Sequence, residues 1–340
     1  MSKGELEATA RALVPSGGGI LAADESMGTI TKRFADIGLE PTAESRRDYR
    51  EMLFTTPDLS DFISGVILYE ETLNTAANGG VPFPRLLADR GMIPGIKADA
   101  GLVPLAGFPG EQITEGLDGL RARLEAYREG GARFAKWRAA IAISNGIPTR
   151  GCIHANAHAL ARYAAECQEV GLAPIVEPEV LMDGGHTIER CEEVTEWVLR
   201  SVFSELGEHR VNLEGTLLKA SMVLSGVDCP AQAGVEEVAE ATVRCLRRTV
   251  PASIPGVVFL SGGQSPELST LHLNAMNRIG GFPWELSYSY GRALQDPARA
   301  AWNGKAANVA AAQKVFHHRA SCNSAARDGR YVPEMEGIAA

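Results

Sequence analysis

The sequence predicts an α/β chain, a single (β/α)8 TIM barrel over residues 1–340 with a C-terminal tail from about residue 320. Three observations carry that expectation. Eight short apolar runs alternate with amphipathic helical patterns, the signature of parallel strands joined by helical crossovers. No Gly-x-Gly-x-x-Gly follows the first run, so the doubly wound dinucleotide sheet, which is the alternative, lacks its fingerprint. Several runs carry charged residues in their second half, where a barrel builds its site.

Taken in order, the runs are 18–24, 62–69, 93–98, 133–139, 173–179, 215–222, 256–262 and 284–289. Helical patterns lie between them. Over 112–129, Ile113, Leu117, Leu120, Leu124 and Tyr127 recur at helical spacing. Over 190–205 the stripe is Val194, Val198 and Phe203. Residues 231–249 begin just after Pro230, a helix-start signal, and stripe Val235, Val238, Thr242 and Leu246.

Period-2 alternation sorts the polar residues of these runs onto single faces. Lys136 and Arg138 share one face, Glu177 and Glu179 another, Lys219 and Ser221 a third, and Asp24 and Ser26 a fourth; the third run adds Lys97. Pointed inward, they would place lysines, an arginine and carboxylates in one small mouth. Lys219 alone also fits a surface lysine at a strand end, and any one pair also fits an ion pair sealing the barrel. Five strands ending this way favour a reactive centre, because each buried charge needs a partner. The chemistry is that of an amine attacking a carbonyl. Burial and a nearby Lys136 ammonium would both favour an uncharged, nucleophilic Lys219. Glu177 and Asp24 could move protons. The protonated imine then serves as electron sink, so no metal or cofactor is required.

Anion signals come late in the chain. Ser261-Gly262-Gly263-Gln264-Ser265 closes a very apolar run, and glycines there let backbone N–H groups approach a phosphate. The last run ends Ser289-Tyr290-Gly291-Arg292, which supplies a fork-shaped cation. Barrels commonly bind phosphate in these two loops. The net charge of −9 argues against nucleic-acid or anionic-membrane partners, so positive charge must be concentrated locally. No run of 18 apolar residues and no signal-type leader is present, and the six cysteines form no Cys-x-x-Cys pair. Reduced thiols and a cytoplasmic location are expected.

Several strings then act together: LAADES (21–26), ISGVILYEETL (63–73), PGIKAD (94–99), GARFAKWR (131–138), PIVEPE (174–179), LLK (217–219), FLSGGQS (259–265) and SYGRALQ (289–295). With them the chain resembles a class I fructose-1,6-bisphosphate aldolase from about residue 5 to about residue 325. The resemblance implies a metal-independent enzyme that cleaves fructose 1,6-bisphosphate reversibly to dihydroxyacetone phosphate and glyceraldehyde 3-phosphate in glycolysis or gluconeogenesis. It implies Lys219 as Schiff-base lysine, Glu177 as carbinolamine acid/base and Asp24 as the group that takes the C4 hydroxyl proton. Lys136, with Arg138 beside it, would orient substrate and keep Lys219 uncharged. Ser261, Gly262, Gly263, Ser289, Gly291 and Arg292 would hold the C1 phosphate. Arg33, Lys97 and Ser26 would serve the far end, and Glu179 would support the charge network. Partners would be phosphorylated ketoses and trioses, with a homotetramer as the usual assembly.

The chain departs from the family pattern in places. Ala220-Ser221 follows Lys219 where the animal enzymes have Pro-Asn, and Met27 stands where threonine is usual. Its end reads Gly337-Ile338-Ala339-Ala340, not the terminal tyrosine of many members, and Tyr331 is not expected to replace it. Three rival readings remain. A metal-dependent enzyme would lean on His154 and His158, four apart on one helix face, but the third ligand is missing and no metal is expected there. His317-His318 reads as a solvated helix end. A non-catalytic scaffold on the same fold is the second rival. Activity toward fructose 1-phosphate or sedoheptulose 1,7-bisphosphate is the third.

Overall fold

The computed structural model describes residues 3–338. Met1, Ser2, Ala339 and Ala340, which the sequence reading assigned to the same domain, lie outside them. Eight parallel strands close a barrel: β1 (Gly19–Ala23), β2 (Ile63–Leu68), β3 (Ile93–Lys97), β6 (Phe134–Ile141), β7 (Ala173–Val180), β8 (Leu217–Ala220), β9 (Gly256–Phe259) and β10 (Glu285–Tyr290). A separate antiparallel hairpin, β4 (Gly101–Pro104) and β5 (Gln112–Glu115), stands after β3. The eight predicted runs are the eight barrel strands, each within a few residues of its expected bounds.

Alternation divides the core in two. Outward-facing Ala135, Trp137, Val176, Leu218, Val257 and Phe259 pack under the helices. Trp137, for example, lies with its ring centroid 5.4 Å from that of Tyr163 on α7 (Arg150–Val170). Inward-facing Ile20, Ala22, Ile67, Phe134, Ile175, Leu217 and Val258 form a second, separate cluster inside the barrel. α1 (Lys3–Ala12) and the turn after it stopper this cluster with Ala10, Leu13 and Val14. The barrel interior is therefore apolar at its floor. One step along the strands it becomes ionic, at Lys136, Glu177 and Lys219.

The helical readings need correction at their ends. Residues 112–115 are strand, not helix. Gly116 and Gly119 take φ of +119° and +66°, and α6 (Leu120–Glu129) starts only after them. Leu120, Leu124 and Tyr127 keep the buried stripe. α8 (Ile188–Glu208) is longer than expected, capped by Thr187. α9 (Val235–Thr249) begins after Gly234, not after Pro230. The last helix, α12 (Val309–Arg327), continues past residue 320, so the packed body extends beyond the expected start of the tail. His317 and His318 lie inside that helix, not at a solvated end. The His317 ring meets Phe62 edge-on at 5.1 Å. The six cysteines are free and buried.

Gly95 on β3 shows how tightly the floor is packed. A Cβ there would come within 2.3 Å of the Phe134 ring. Gly95→Ala should cost roughly 1–3 kcal/mol through overpacking and lower the melting temperature by several degrees, and Phe134→Leu in the same chain should restore part of the loss. Thermal unfolding of the two variants measures it; an unchanged midpoint for Gly95→Ala would contradict the packing.

Candidate active site

Strand register brings the central residues together. β7 and β8 pair Val176 with Leu218, so the next residues, Glu177 and Lys219, stand side by side facing inward. β3 and β6 place Lys97 opposite Lys136, and β6 and β7 place Arg138 opposite Glu177. Asp24 follows the last residue of β1 and leans over the same space.

The geometry is a chain of alternating charge. Lys219 Nζ lies 3.0 Å from Glu177 Oε1. Glu177 Oε2 lies 3.2 Å from Lys136 Nζ, and Lys136 Nζ lies 2.7 Å from Asp24 Oδ2. The side chains of Lys219, Glu177 and Lys136 are 4–5% exposed and that of Asp24 is 14% exposed. Burial acts to raise both carboxylates. The Lys136 and Lys219 charges outweigh it and hold Asp24 and Glu177 below the ordinary carboxylate range. Burial likewise opposes the Lys136 ammonium, but Asp24 and Glu177 push it above the usual lysine value. Lys136 thus does not confront Lys219 as a bare cation. Two carboxylates surround it, and one of them touches Lys219 directly.

Around this chain opens a cavity of about 960 Å³, lined by Asp24, Ser26, Arg33, Lys97, Lys136, Arg138, Glu177, Glu179, Lys219, Ser261, Gly262, Ser289, Gly291 and Arg292. Of the residues the sequence singled out, Gly263 is set just behind this lining. Its φ is +110°, and a Cβ there would lie 3.5 Å from an Arg292 nitrogen. Ser221 shares the face of Lys219 but donates its hydroxyl to the Val180 carbonyl at 2.8 Å, so it belongs to the wall. Arg138 is paired with Glu179, and Lys97 with Asp99. Arg33 pairs with Glu25. Among the described residues the Arg292 side chain has no hydrogen-bond or ion-pair partner, and neither has that of Lys32 at the same cavity. Beside Arg292, the buried Ser289 hydroxyl also lacks a partner. An unbonded buried hydroxyl next to a free guanidinium, behind two positive-φ glycines, is the donor set of an anion site.

Sequence reasoning missed the residues that hold the cations in place. Glu25, 4% exposed in its side chain, binds Arg33 and Arg50 and accepts from Gln295 at 2.8 Å. Asp99 holds Lys97 and accepts from the Arg138 amide at 3.3 Å. Lys32 and Arg123 also line the cavity. The usable signal was the uninterrupted Asp24-Glu25 pair, since two buried acids in a row call for cations on both sides. Tyr331 is buried and gives its hydroxyl to Glu336 at 2.7 Å, away from the cavity lining.

The fold and this mouth define an enzyme of the barrel class with a lysine–carboxylate centre at the C-terminal ends of its strands. The family model for fructose-bisphosphate aldolase class-I matches residues 5–340. A probable fructose-bisphosphate aldolase class 1 of Xanthomonas campestris is 60% identical over 332 residues, covering 97% of this chain and 99% of that one. A cytosolic fructose-bisphosphate aldolase of Arabidopsis thaliana is 54% identical, covering 98% and 85%. A structure of Plasmodium falciparum fructose-bisphosphate aldolase, in complex with TRAP and a small-molecule inhibitor, superposes with a TM-score of 0.96 at 52% identity, covering 97% of this chain and 95% of that one. This chain belongs to the class-I fructose-bisphosphate aldolase family, and it is a lyase.

The depressed carboxylates fix a pH dependence. A group whose folded pKa is lowered contributes stability that is complete above its unfolded value and is lost as pH falls toward the folded one. Wild-type stability should therefore decline from about pH 5 downward, and Asp24→Asn should decline less steeply over the same range. Urea unfolding at pH 7, 5 and 4 tests this; parallel curves for the two proteins would remove Asp24 from the ionic layer.

Proposed function

We propose that this aldolase works through a Schiff base on Lys219, with Glu177, Asp24 and Lys136 as its acid–base and orienting groups. The observation that carries the reading is Glu177 in contact with the Lys219 amine at 3.0 Å while its other oxygen faces Lys136. The amine has a proton acceptor at hand, and that acceptor is itself steadied by a permanent cation.

The steps follow from position. With fructose 1,6-bisphosphate in the cavity, Lys219 passes a proton to Glu177, its free amine bonds through Nζ to the C2 carbonyl carbon, and a proton moves from Nζ to the C2 oxygen to give the carbinolamine. Glu177 returns a proton to the C2 hydroxyl of the carbinolamine, water leaves, and an iminium forms. Asp24, held ionised by Lys136, accepts the proton of the C4 hydroxyl. The C3–C4 bond breaks, its electron pair passes to the iminium as an enamine, and glyceraldehyde 3-phosphate departs. Protonation at C3 and attack by water return dihydroxyacetone phosphate and the free lysine. The iminium supplies the electron sink that a Lewis acid would otherwise provide.

Ser261, Gly262, Gly263, Ser289, Gly291 and Arg292 form the C1 phosphate site, supported by the unpartnered Ser289 hydroxyl and Arg292 guanidinium. Lys97, Arg33 and Ser26 serve the second phosphate, with Arg138 and Glu179 along the sugar. A role in glycolysis or gluconeogenesis and a homotetrameric assembly rest on the family resemblance. A cytoplasmic location is supported by the relative named as cytosolic. A single domain running the length of the chain is supported by the one closed barrel.

Borohydride reduction in the presence of dihydroxyacetone phosphate should leave a stable adduct on the peptide carrying Lys219, read by peptide mass mapping, and Lys219→Ala should retain the fold and lose turnover by at least about a thousandfold. An adduct elsewhere, or preserved turnover, contradicts the assignment. Arg292→Ala should weaken dihydroxyacetone phosphate binding by roughly 10- to 100-fold, the loss of charged hydrogen bonds to an anion. Titration calorimetry with the two proteins decides, and equal affinities would move the phosphate site elsewhere.

A further inference from the structure

On the helices outside the barrel, three imidazoles converge on one carboxylate. His154 and His158 are four apart on α7, and Glu205 and His209 are four apart at the end of α8. The two helices pack together, so two pairs of i,i+4 residues face each other. We propose that His154, His158, Glu205 and His209 form a divalent transition-metal site of the zinc class, joining α7 to α8.

Geometry carries the proposal. His158 Nδ1 is 3.1 Å from Glu205 Oε2, and His154 Nδ1 is 3.3 Å from Glu205 Oε1. His209 Nδ1 is 3.7 Å from Glu205 Oε2. Ligands at about 2.0–2.1 Å from a tetrahedral zinc stand about 3.3 Å from each other, so the His158 and His154 nitrogens stand from the Glu205 oxygens as neighbouring ligands would. One donor atom from each of His158, Glu205 and His209 lies within 4.8 Å of the other two. His209 Nδ1 is also 2.9 Å from the Glu205 backbone carbonyl. Donating its Nδ1–H there, His209 keeps Nε2 as its ligand atom, the arrangement that orients metal-bound imidazoles elsewhere.

Charge points the same way. The Glu205 side chain is 15% exposed, and among the described residues its only ion-pair partners are the three histidines. In the metal-binding form those imidazoles are neutral. The carboxylate then lacks a cation, and a dication at the centre of the four groups supplies it. A second cluster, His318, Cys322 and Glu336, does not offer the same vacancy in its charge: Glu336 is already bound by Arg319 and by the Tyr331 hydroxyl. The third ligand that the His154-x-x-x-His158 spacing lacked in the sequence is supplied by a residue 47 positions beyond His158.

The test is zinc titration of the full, reduced, metal-stripped chain against a competing chromophoric chelator. One zinc per chain should bind. His158→Ala combined with Glu205→Gln should weaken it at least tenfold. His154→Ala, which removes a largely exposed side chain and leaves the core intact, should weaken it severalfold. His318→Ala should leave it unchanged. Cobalt in place of zinc should give d–d absorption without a thiolate charge-transfer band, and turnover of fructose 1,6-bisphosphate by the variants should match wild type, which shows that they fold. No saturable binding to the wild-type chain, equal affinity in the double variant, or a thiolate band would each overturn the proposal.

Discussion

The structure depends on one carboxylate shared between two lysines. Glu177 touches Lys219 with one oxygen and faces Lys136 with the other. Without it Lys219 would lose its carboxylate and Lys136 would keep Asp24 alone, and an unpaired buried ammonium is costly. Asp24 completes the balance on the far side of Lys136. The layer above it repeats the same rule in pairs, Arg138 with Glu179, Lys97 with Asp99, Arg33 with Glu25. Such a network is costly to assemble and strongly destabilised by removing any one member. That is the expected condition of a surface shaped for a charged substrate rather than for maximal stability.

The two cores explain how a barrel tolerates this. The outer shell of Trp137, Val176, Leu218 and Phe259 under the helices is the larger of the two apolar clusters. It fixes the strands and hence the register. Register in turn decides which side chains meet, because a slip of one residue between β7 and β8 would turn Lys219 to the helices and away from Glu177. The inner cluster is smaller and closes the floor. The ionic layer rests on it, one pleat above Phe134, Ile175 and Leu217.

Much of this was legible in the chain itself. Strands buried on both faces read as apolar runs, so each interior charge stood out against its neighbours. Lys136, Glu177 and Lys219 are three such interruptions; period-2 alternation sorts the polar residues of each run onto one face, and the structure turns that face inward. What stayed hidden depends on loops and on distance along the chain. Glu25 lies beside Asp24 in sequence but binds Arg33 and Arg50, which two later helices bring to it. Of the hairpin, only the second strand, 112–115, falls within the predicted helix over 112–129, because Ile113 and Leu117 happen to continue the spacing of α6. Only Gly116 and Gly119, with their positive φ, break it. The meeting of His154 and His158 with Glu205 is a property of helix packing that no local pattern encodes.

The plug formed by Ala10, Leu13 and Val14 has a consequence for traffic. With one end of the cylinder stoppered by aliphatic side chains, sugar phosphate and both fragments must share a single doorway. Any body seated over that doorway, whether a peptide segment or another macromolecule, would therefore silence cleavage and condensation together, without touching a single reacting atom.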